Sequence, residues 1–169
     1  MDVVMNMDKP TRKEHHLSAY DYSQSGAYFI TICTKDRKRV LSTIKTVGAG
    51  VLDRPQVVLL PCGVIAEKYI HQLHAFYDFI SVDHYVIMPD HIHLLMSVSD
   101  DGRSRTPAPT KANSVVAQFV STFKRFCNRE YGENIWQRSY YDHIVRGEQD
   151  YREIWQYIDH NPFQTDEEH

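Results

Sequence analysis

An α+β fold built on an antiparallel sheet is what this sequence predicts. Three features carry that expectation: a β-branched and aromatic run near residue 30, two period-two segments joined by Pro89-Asp90, and three amphipathic stretches at helical spacing. At 169 residues the length suits one domain with a single sizeable core.

The elements follow in order. Residues 1–26 are polar and rich in turn formers and read as an arm. Ala-Tyr-Phe-Ile-Thr-Ile-Cys-Thr, residues 27–34, reads as a strand, and the basic cluster Lys35, Arg37, Lys38 and Arg39 follows it directly. A variable segment with a short extended piece at 56–60 leads into a helix over about 61–77, where Val64, Ile65, Tyr69, Ile70 and Leu73 repeat at helical spacing. Residues 80–88 and 91–98 read as the two strands of a hairpin. Residues 99–110, full of Ser, Asp, Gly, Arg and Pro, read as a loop. A second helix spans about 114–129, with Val115, Phe119, Phe123 and Phe126 on its apolar stripe, and 139–145 is a short strand. The last helix begins near Glu148 and stops at about Asn161, because Pro162 disfavours helical geometry in the residue before it. Strand, helix, hairpin, helix, strand, helix is the order of a ferredoxin-like sheet with helices on one face and an extra C-terminal helix. The folded domain is placed at 27–162, with 163–169 a short acidic tail.

Composition narrows the function classes. Lys+Arg 19 against Asp+Glu 22 gives a formal net charge of -3, so a nucleic-acid surface must be a local basic patch on a mildly acidic body. Cys33, Cys62 and Cys127 stand far apart and form no C-x-x-C pair, as expected for reduced thiols in a cytoplasmic protein. The N-terminus lacks a basic stretch followed by an apolar run, so no signal peptide is expected, and no stretch reaches the roughly 18 apolar residues of a spanning helix.

The sharpest local feature is Pro89-Asp90-His91-Ile92-His93-Leu94-Leu95-Met96. If His91 opens a strand, the period of two sends His91 and His93 to one face and Ile92, Leu94, Met96 and Val98 to the other, the helix-covered core. Two imidazoles one strand period apart on an uncovered face make a bidentate site for a divalent ion. The final helix offers an oxygen ligand and a nucleophile: Tyr157 and Asn161 are i and i+4, with Tyr151, Ile154, Trp155 and Ile158 as the stripe that docks the helix. An Asn carbonyl suits Mg²⁺ or Mn²⁺, and a phenol beside a metal-bound phosphate could attack phosphorus in line.

Four ordered motifs are similar to those of the REP-associated tyrosine transposases, within the one-tyrosine HUH transposases of insertion sequences. They are Tyr-Phe-Ile-Thr-Ile-Cys-Thr (28–34), Val-Ile-Met-Pro-Asp-His-Ile-His-Leu-Leu (86–95), Trp-Gln-Arg-Ser-Tyr-Tyr-Asp-His-Ile-Val-Arg (136–146) and Tyr-Ile-Asp-His-Asn-Pro (157–162). The resemblance runs from about residue 17 to 162. It implies a ferredoxin-like nuclease domain, dependence on Mg²⁺ or Mn²⁺, and single-stranded DNA substrates with hairpins or repeats. It further implies His91 and His93 as the HUH pair, Asn161 as third ligand, and Tyr157 as the nucleophile that forms a 5′-phosphotyrosine. Tyr140, Tyr141 and Tyr151 are rivals by residue type. Cations expected on the DNA are Lys35, Arg37, Lys38, Arg39, Lys124, Arg125, Arg129 and Arg138. Trp136 reads as core. The resemblance leaves open a homodimer or a monomer, and whether Tyr157 serves the histidines of its own chain. A catalytically silent single-strand-binding module and a metallohydrolase without a covalent step are the competing readings.

Overall fold

The structure is a computed structural model that describes residues 26–48, 54–99 and 115–164. The expected N-terminal arm, most of the loop after residue 98 and the acidic end of the tail lie outside the described residues.

Four strands form the main antiparallel sheet: β1 (Gly26–Cys33), β4 (Ile80–Ile87), β5 (His91–Val98) and β6 (Tyr141–Val145), in the order β4-β5-β1-β6. Helix α1 (Pro61–Leu73) connects β1 to β4, and α2 (Val115–Tyr131) connects β5 to β6. Each of these crossings skips one strand, the split βαβ pattern of a ferredoxin-like sheet. The hairpin between β4 and β5 closes through Met88 N–H donating to the His91 carbonyl at 2.8 Å, with Pro89 and Asp90 at its tip.

Alternation in the strands divides the side chains between two faces. Tyr28, Ile30 and Ile32 of β1 and Ile92, Leu94, Met96 and Val98 of β5 pack with α1 and α2. From α1 come Cys62, Ala66, Ile70 and Leu73, and from α2 come Val116, Phe119, Val120, Phe123 and Cys127. Trp136 joins them at 2% exposure, its ring 5.4 Å from that of Phe123, so it is core as expected. The opposite face, expected to be open, carries α3 (Gly147–His160): Ile154 and Ile158 sit on Phe29 and Leu95. The "helices on one face" are thus α1 and α2, and the extra C-terminal helix crosses the other side.

Smaller departures have local causes. The first helix ends at Leu73 rather than near Tyr77, because residues 74–76 turn back through Ala75 and Phe76 N–H bonds to the Gln72 and Leu73 carbonyls. The segment between the first strand and α1 holds a second sheet, β2 (Ser42–Val47) paired with β3 (Arg54–Leu59). Only the second of these strands was expected. In Ser-Thr-Ile-Lys-Thr-Val the polar residues outnumber the apolar ones, so hydrophobic alternation does not announce a strand.

Helix α1 approaches the start of β2 closely at Gly63. A Cβ built there would lie 2.0 Å from the Leu41 carbonyl oxygen, and that oxygen already accepts the Leu60 N–H at 2.9 Å. Backbone, not a flexible side chain, is what would have to move. Gly63→Ala is therefore expected to lower stability by about 1–3 kcal/mol, the cost of overpacking. A urea midpoint equal to that of the parent protein would contradict this contact.

Candidate active site

The site lies where β1 ends and β5 begins. Antiparallel register sets Cys33 opposite His91, Thr31 opposite His93 and Phe29 opposite Leu95, all on the α3 face. Helix α3 brings Tyr157 to the same place. Its ring meets the His93 ring edge-on, 5.4 Å between centroids, and the Phe29 ring at 5.9 Å. Tyr157 therefore meets a histidine of its own chain.

His93 is buried at 5% exposure, stacked on Phe29 with centroids 5.1 Å apart, and its Nδ1 lies 2.8 Å from the Thr31 hydroxyl. Burial, and then the nearby His91 and Arg37 charges, hold its pKa well below the usual histidine value. The ring is thus neutral at pH 7, the state in which imidazole can bind a metal. His91 stands beside it, ring centroids 4.6 Å apart at 70°, and its Nδ1 is 2.7 Å from Asp90 Oδ1. The other carboxylate oxygen of Asp90 pairs with Arg37 Nε at 2.9 Å. Burial would raise the Asp90 pKa, but the bond to His91 and the charges of His91 and Arg37 outweigh it and keep the carboxyl below its usual range. With Nδ1 of both rings engaged, Nε2 is the nitrogen left on each for a ligand.

Asn161 is 5% exposed and keeps helical dihedrals (φ −56°, ψ −41°) after α3, so it lies one turn beyond Tyr157 on the same side of the helix. Among the described residues, no three His, Cys, Asp or Glu side chains converge as a metal cluster. Among the described residues a third protein ligand for the histidine pair would be of another type, and the Asn161 amide oxygen is of the right chemistry.

The rival tyrosines are placed differently. Tyr140 is buried in the α1–α2 core. Tyr151 donates its hydroxyl to Asp83 Oδ2 at 3.0 Å, at the far end of the sheet, and burial together with that bond pushes its pKa up to about 12. Tyr141 pairs with Thr31 in the sheet and so shares the histidine face, with β1 between it and β5.

Of the eight expected DNA-contacting cations, Lys35, Lys38 and Arg39 are exposed beside the site. Two others are engaged within the protein. Arg37 holds Asp90 and donates to Cys33 Sγ at 2.9 Å. Lys124 donates to the carbonyls of Gln137, Arg138 and Ser139, and burial draws its pKa down to about 8. Arg125 and Arg129 flank the Phe126 ring at 5.5 and 5.9 Å. Arg138 and Arg125 line an open cleft of about 390 Å³ with Ser121, Asn128 and Tyr140. Sequence reasoning did not find Phe29, Thr31 and Asp90 as parts of the site. The cross-strand register explains the first two, and Asp90 was visible only as a turn residue next to His91.

Residues 22–161 match the family described as transposase, IS200-like. This chain belongs to that family. Membership places it among enzymes that process DNA in transposition. It is 28% identical over 166 residues to an uncharacterised protein of Haemophilus influenzae, covering 89% of this chain and 88% of that one. A second protein of the same organism, provisionally described as a REP-associated tyrosine transposase, is 27% identical over 159 residues, covering 84% and 73%. Among solved structures, a REP-associated tyrosine transposase bound to a REP hairpin superposes with a TM-score of 0.58 at 17% identity, over 94% of this chain and 74% of that chain, a likeness of fold. The narrower resemblance seen in the motifs thus recurs among the relatives.

The buried His93 has a consequence for stability. An unfolded histidine takes up its proton near pH 6.5, whereas His93 in the folded state resists protonation until well below that. Below about pH 6.5 the unfolded chain binds the extra proton, so folding stability falls as pH drops. His93→Gln, which keeps a polar group near Thr31, is expected to flatten this part of the profile. Equal slopes for the two proteins in denaturant titrations between pH 5 and 7 would rule out a depressed His93.

Proposed function

We propose that this protein cleaves and rejoins single-stranded DNA through a 5′-phosphotyrosine on Tyr157, in a reaction that depends on a divalent ion. The observation that carries the reading is the packing of Tyr157 edge-on to His93 of the same chain, at the end of the sheet where His91 also stands.

Two imidazoles with Nδ1 engaged, followed by a buried amide one turn past Tyr157, fit a divalent ion such as Mg²⁺ or Mn²⁺. His91, His93 and Asn161 would hold it. Such an ion, when bound, polarises a phosphoryl oxygen and offsets the charge that develops there. The chain's own residues supply the rest. Tyr157, carried on a helix docked by Ile154 and Ile158, presents its phenolic oxygen to phosphorus. A bond forms between that oxygen and phosphorus, the bond to the 3′ oxygen breaks, and a free 3′-hydroxyl leaves. The energy of the phosphodiester is kept in the new link, so attack by a 3′-hydroxyl reverses the step. Phe29 and Leu95 line one side of the site and limit competing water.

The DNA strand would lie across the exposed cations Lys35, Lys38 and Arg39, with Arg125, Arg129 and Arg138 as further contacts along α2 and the segment before β6. Hairpin or repeat sequences are the substrates that fit the family resemblance. No described helix is long and apolar enough to cross a membrane.

A single-stranded oligonucleotide labelled at its 3′ end should acquire a protein-linked label when Mn²⁺ is present and none when it is chelated. Tyr157→Phe should lose the adduct altogether, whereas Tyr140→Phe, Tyr141→Phe and Tyr151→Phe should keep it. An adduct formed by Tyr157→Phe at the parent rate would refute the nucleophile, and cleavage with no adduct would point to a hydrolase. Replacing Lys38 and Arg39 by Gln should weaken binding. Each lost phosphate contact should also reduce the slope of log affinity against log salt by about 0.7. An unchanged slope would remove these two residues from the DNA path.

A further inference from the structure

The turn that follows β1 has a backbone that needs an explanation. Asp36 and Arg37 both take left-handed dihedrals, with φ of 56° and 54°, a region that residues other than glycine occupy only at a cost. Several bonds hold the turn in place. Thr34 N–H donates to the Asp90 carbonyl at 2.9 Å, and the Thr34 hydroxyl reaches the carbonyls of Lys38 at 2.8 Å and Asp90 at 3.0 Å. Leu41 N–H donates to the Pro89 carbonyl at 3.0 Å. The result is that the Arg37 side chain, though half-exposed, reaches back to the β4–β5 hairpin, with Nε on Asp90 and a terminal nitrogen on Cys33 Sγ.

That placement completes a chain of contacts: Arg37 to Asp90 Oδ2, Asp90 Oδ1 to His91 Nδ1. A carboxylate can only accept, so the bond requires a proton on His91 Nδ1, and in the neutral ring this leaves the lone pair on Nε2. Arg37 fixes the rotation of the carboxylate by taking its second oxygen. On the neighbouring ring, the Thr31 hydroxyl at 2.8 Å from Nδ1 stands in the corresponding position. The Thr31 hydroxyl can accept from Nδ1–H or donate to a bare Nδ1, and in a neutral ring the first arrangement puts the lone pair on Nε2 as well.

We infer that Arg37, Asp90 and Thr31 are positioning residues that hold both imidazoles in the Nδ1–H tautomer, with Nε2 turned to the site, and that Arg37 acts there as a brace for Asp90. The inference rests on the proposed metal-dependent reading for its purpose, but it can be measured without metal or DNA. A carboxylate or hydroxyl on the far nitrogen of a metal-binding histidine orients the ring and raises its basicity, and losing such a partner weakens metal binding by about 10- to 100-fold.

The test is nitrogen NMR of the metal-free protein, in which the side-chain ¹⁵N shifts of His91 and His93 report the tautomer directly. Both rings are expected as Nδ1–H in the parent protein. Asp90→Ala and Arg37→Gln should release His91 to a tautomer mixture while leaving His93 locked. Thr31→Val should release His93 alone, and Thr31→Ser should restore it. In parallel, Mn²⁺ affinity by calorimetry should fall about 10- to 100-fold in Asp90→Ala and Thr31→Val and recover in Thr31→Ser. An Nε2–H tautomer on either ring of the parent protein, or locked rings in the Asp90→Ala and Thr31→Val variants, would overturn the inference. So would a Thr31→Val protein with parent Mn²⁺ affinity. Locked tautomers in a parent protein that binds no Mn²⁺ would uphold the positioning and sink the metal-dependent reading, so the two failures are distinct. Thermal melts of each variant separate loss of the fold from release of a ring.

Discussion

Everything at this site depends on β5 serving two masters at once. One set of its side chains, Ile92, Leu94, Met96 and Val98, is sealed under α1 and α2, and the interleaved set, His91, His93 and Leu95, faces α3. The pairing of β5 with β1 fixes which set goes where, because a slip of one residue would send the histidines into the core and the apolar residues to the site. The apolar face therefore holds the register, and the register sets the chemistry on the other side. This is a cheap way to make a precise pair of imidazoles: their spacing is the strand repeat, and their rigidity comes from a core they do not enter.

The same economy governs α3. Two isoleucines on Phe29 and Leu95 seat it, and polar contacts set its rotation. At the sheet's far end Tyr151 reaches Asp83, which also accepts from Ser97, and Asp83 stands where β4 shifts register against β5. On the other flank His84 is stacked on Trp155 at 4.2 Å and paired with Asp159 at 2.6 Å. The irregularity in β4 thus faces the helix that carries Tyr157. These contacts leave Tyr157 between the two apolar anchors' turn and the histidine pair, so the phenol's place is decided by residues that take no part in the proposed chemistry.

Much of this was legible in the sequence, and for definite reasons. Strict alternation around His91 and His93, an apolar stripe in the last helix and a proline after Asn161 are local signals, and each corresponds to a local fact of the structure. The β2 strand escaped notice because its residues are mostly polar. The face taken by α3 escaped notice because a stripe shows that a helix docks, not where. The cations were the least readable. Nothing in the letters around Lys124 says that three carbonyls from residues 137–139 wait for its ammonium, and nothing around Arg37 says that a left-handed turn carries it to Asp90. Charge counted along a chain overstates what a surface offers to phosphate.

The order of the elements along the chain has one more consequence. During synthesis the histidine pair is made early, within the hairpin, whereas α3 is the last helix of the domain. Until it emerges, the Phe29–Leu95 surface lacks Ile154 and Ile158, and the histidines lack Tyr157 beside them. A chain interrupted before that point would lack Tyr157, the attacking group of the proposed chemistry. The site is therefore complete only once α3 is in place, with Tyr157 near the C-terminal end of the family match.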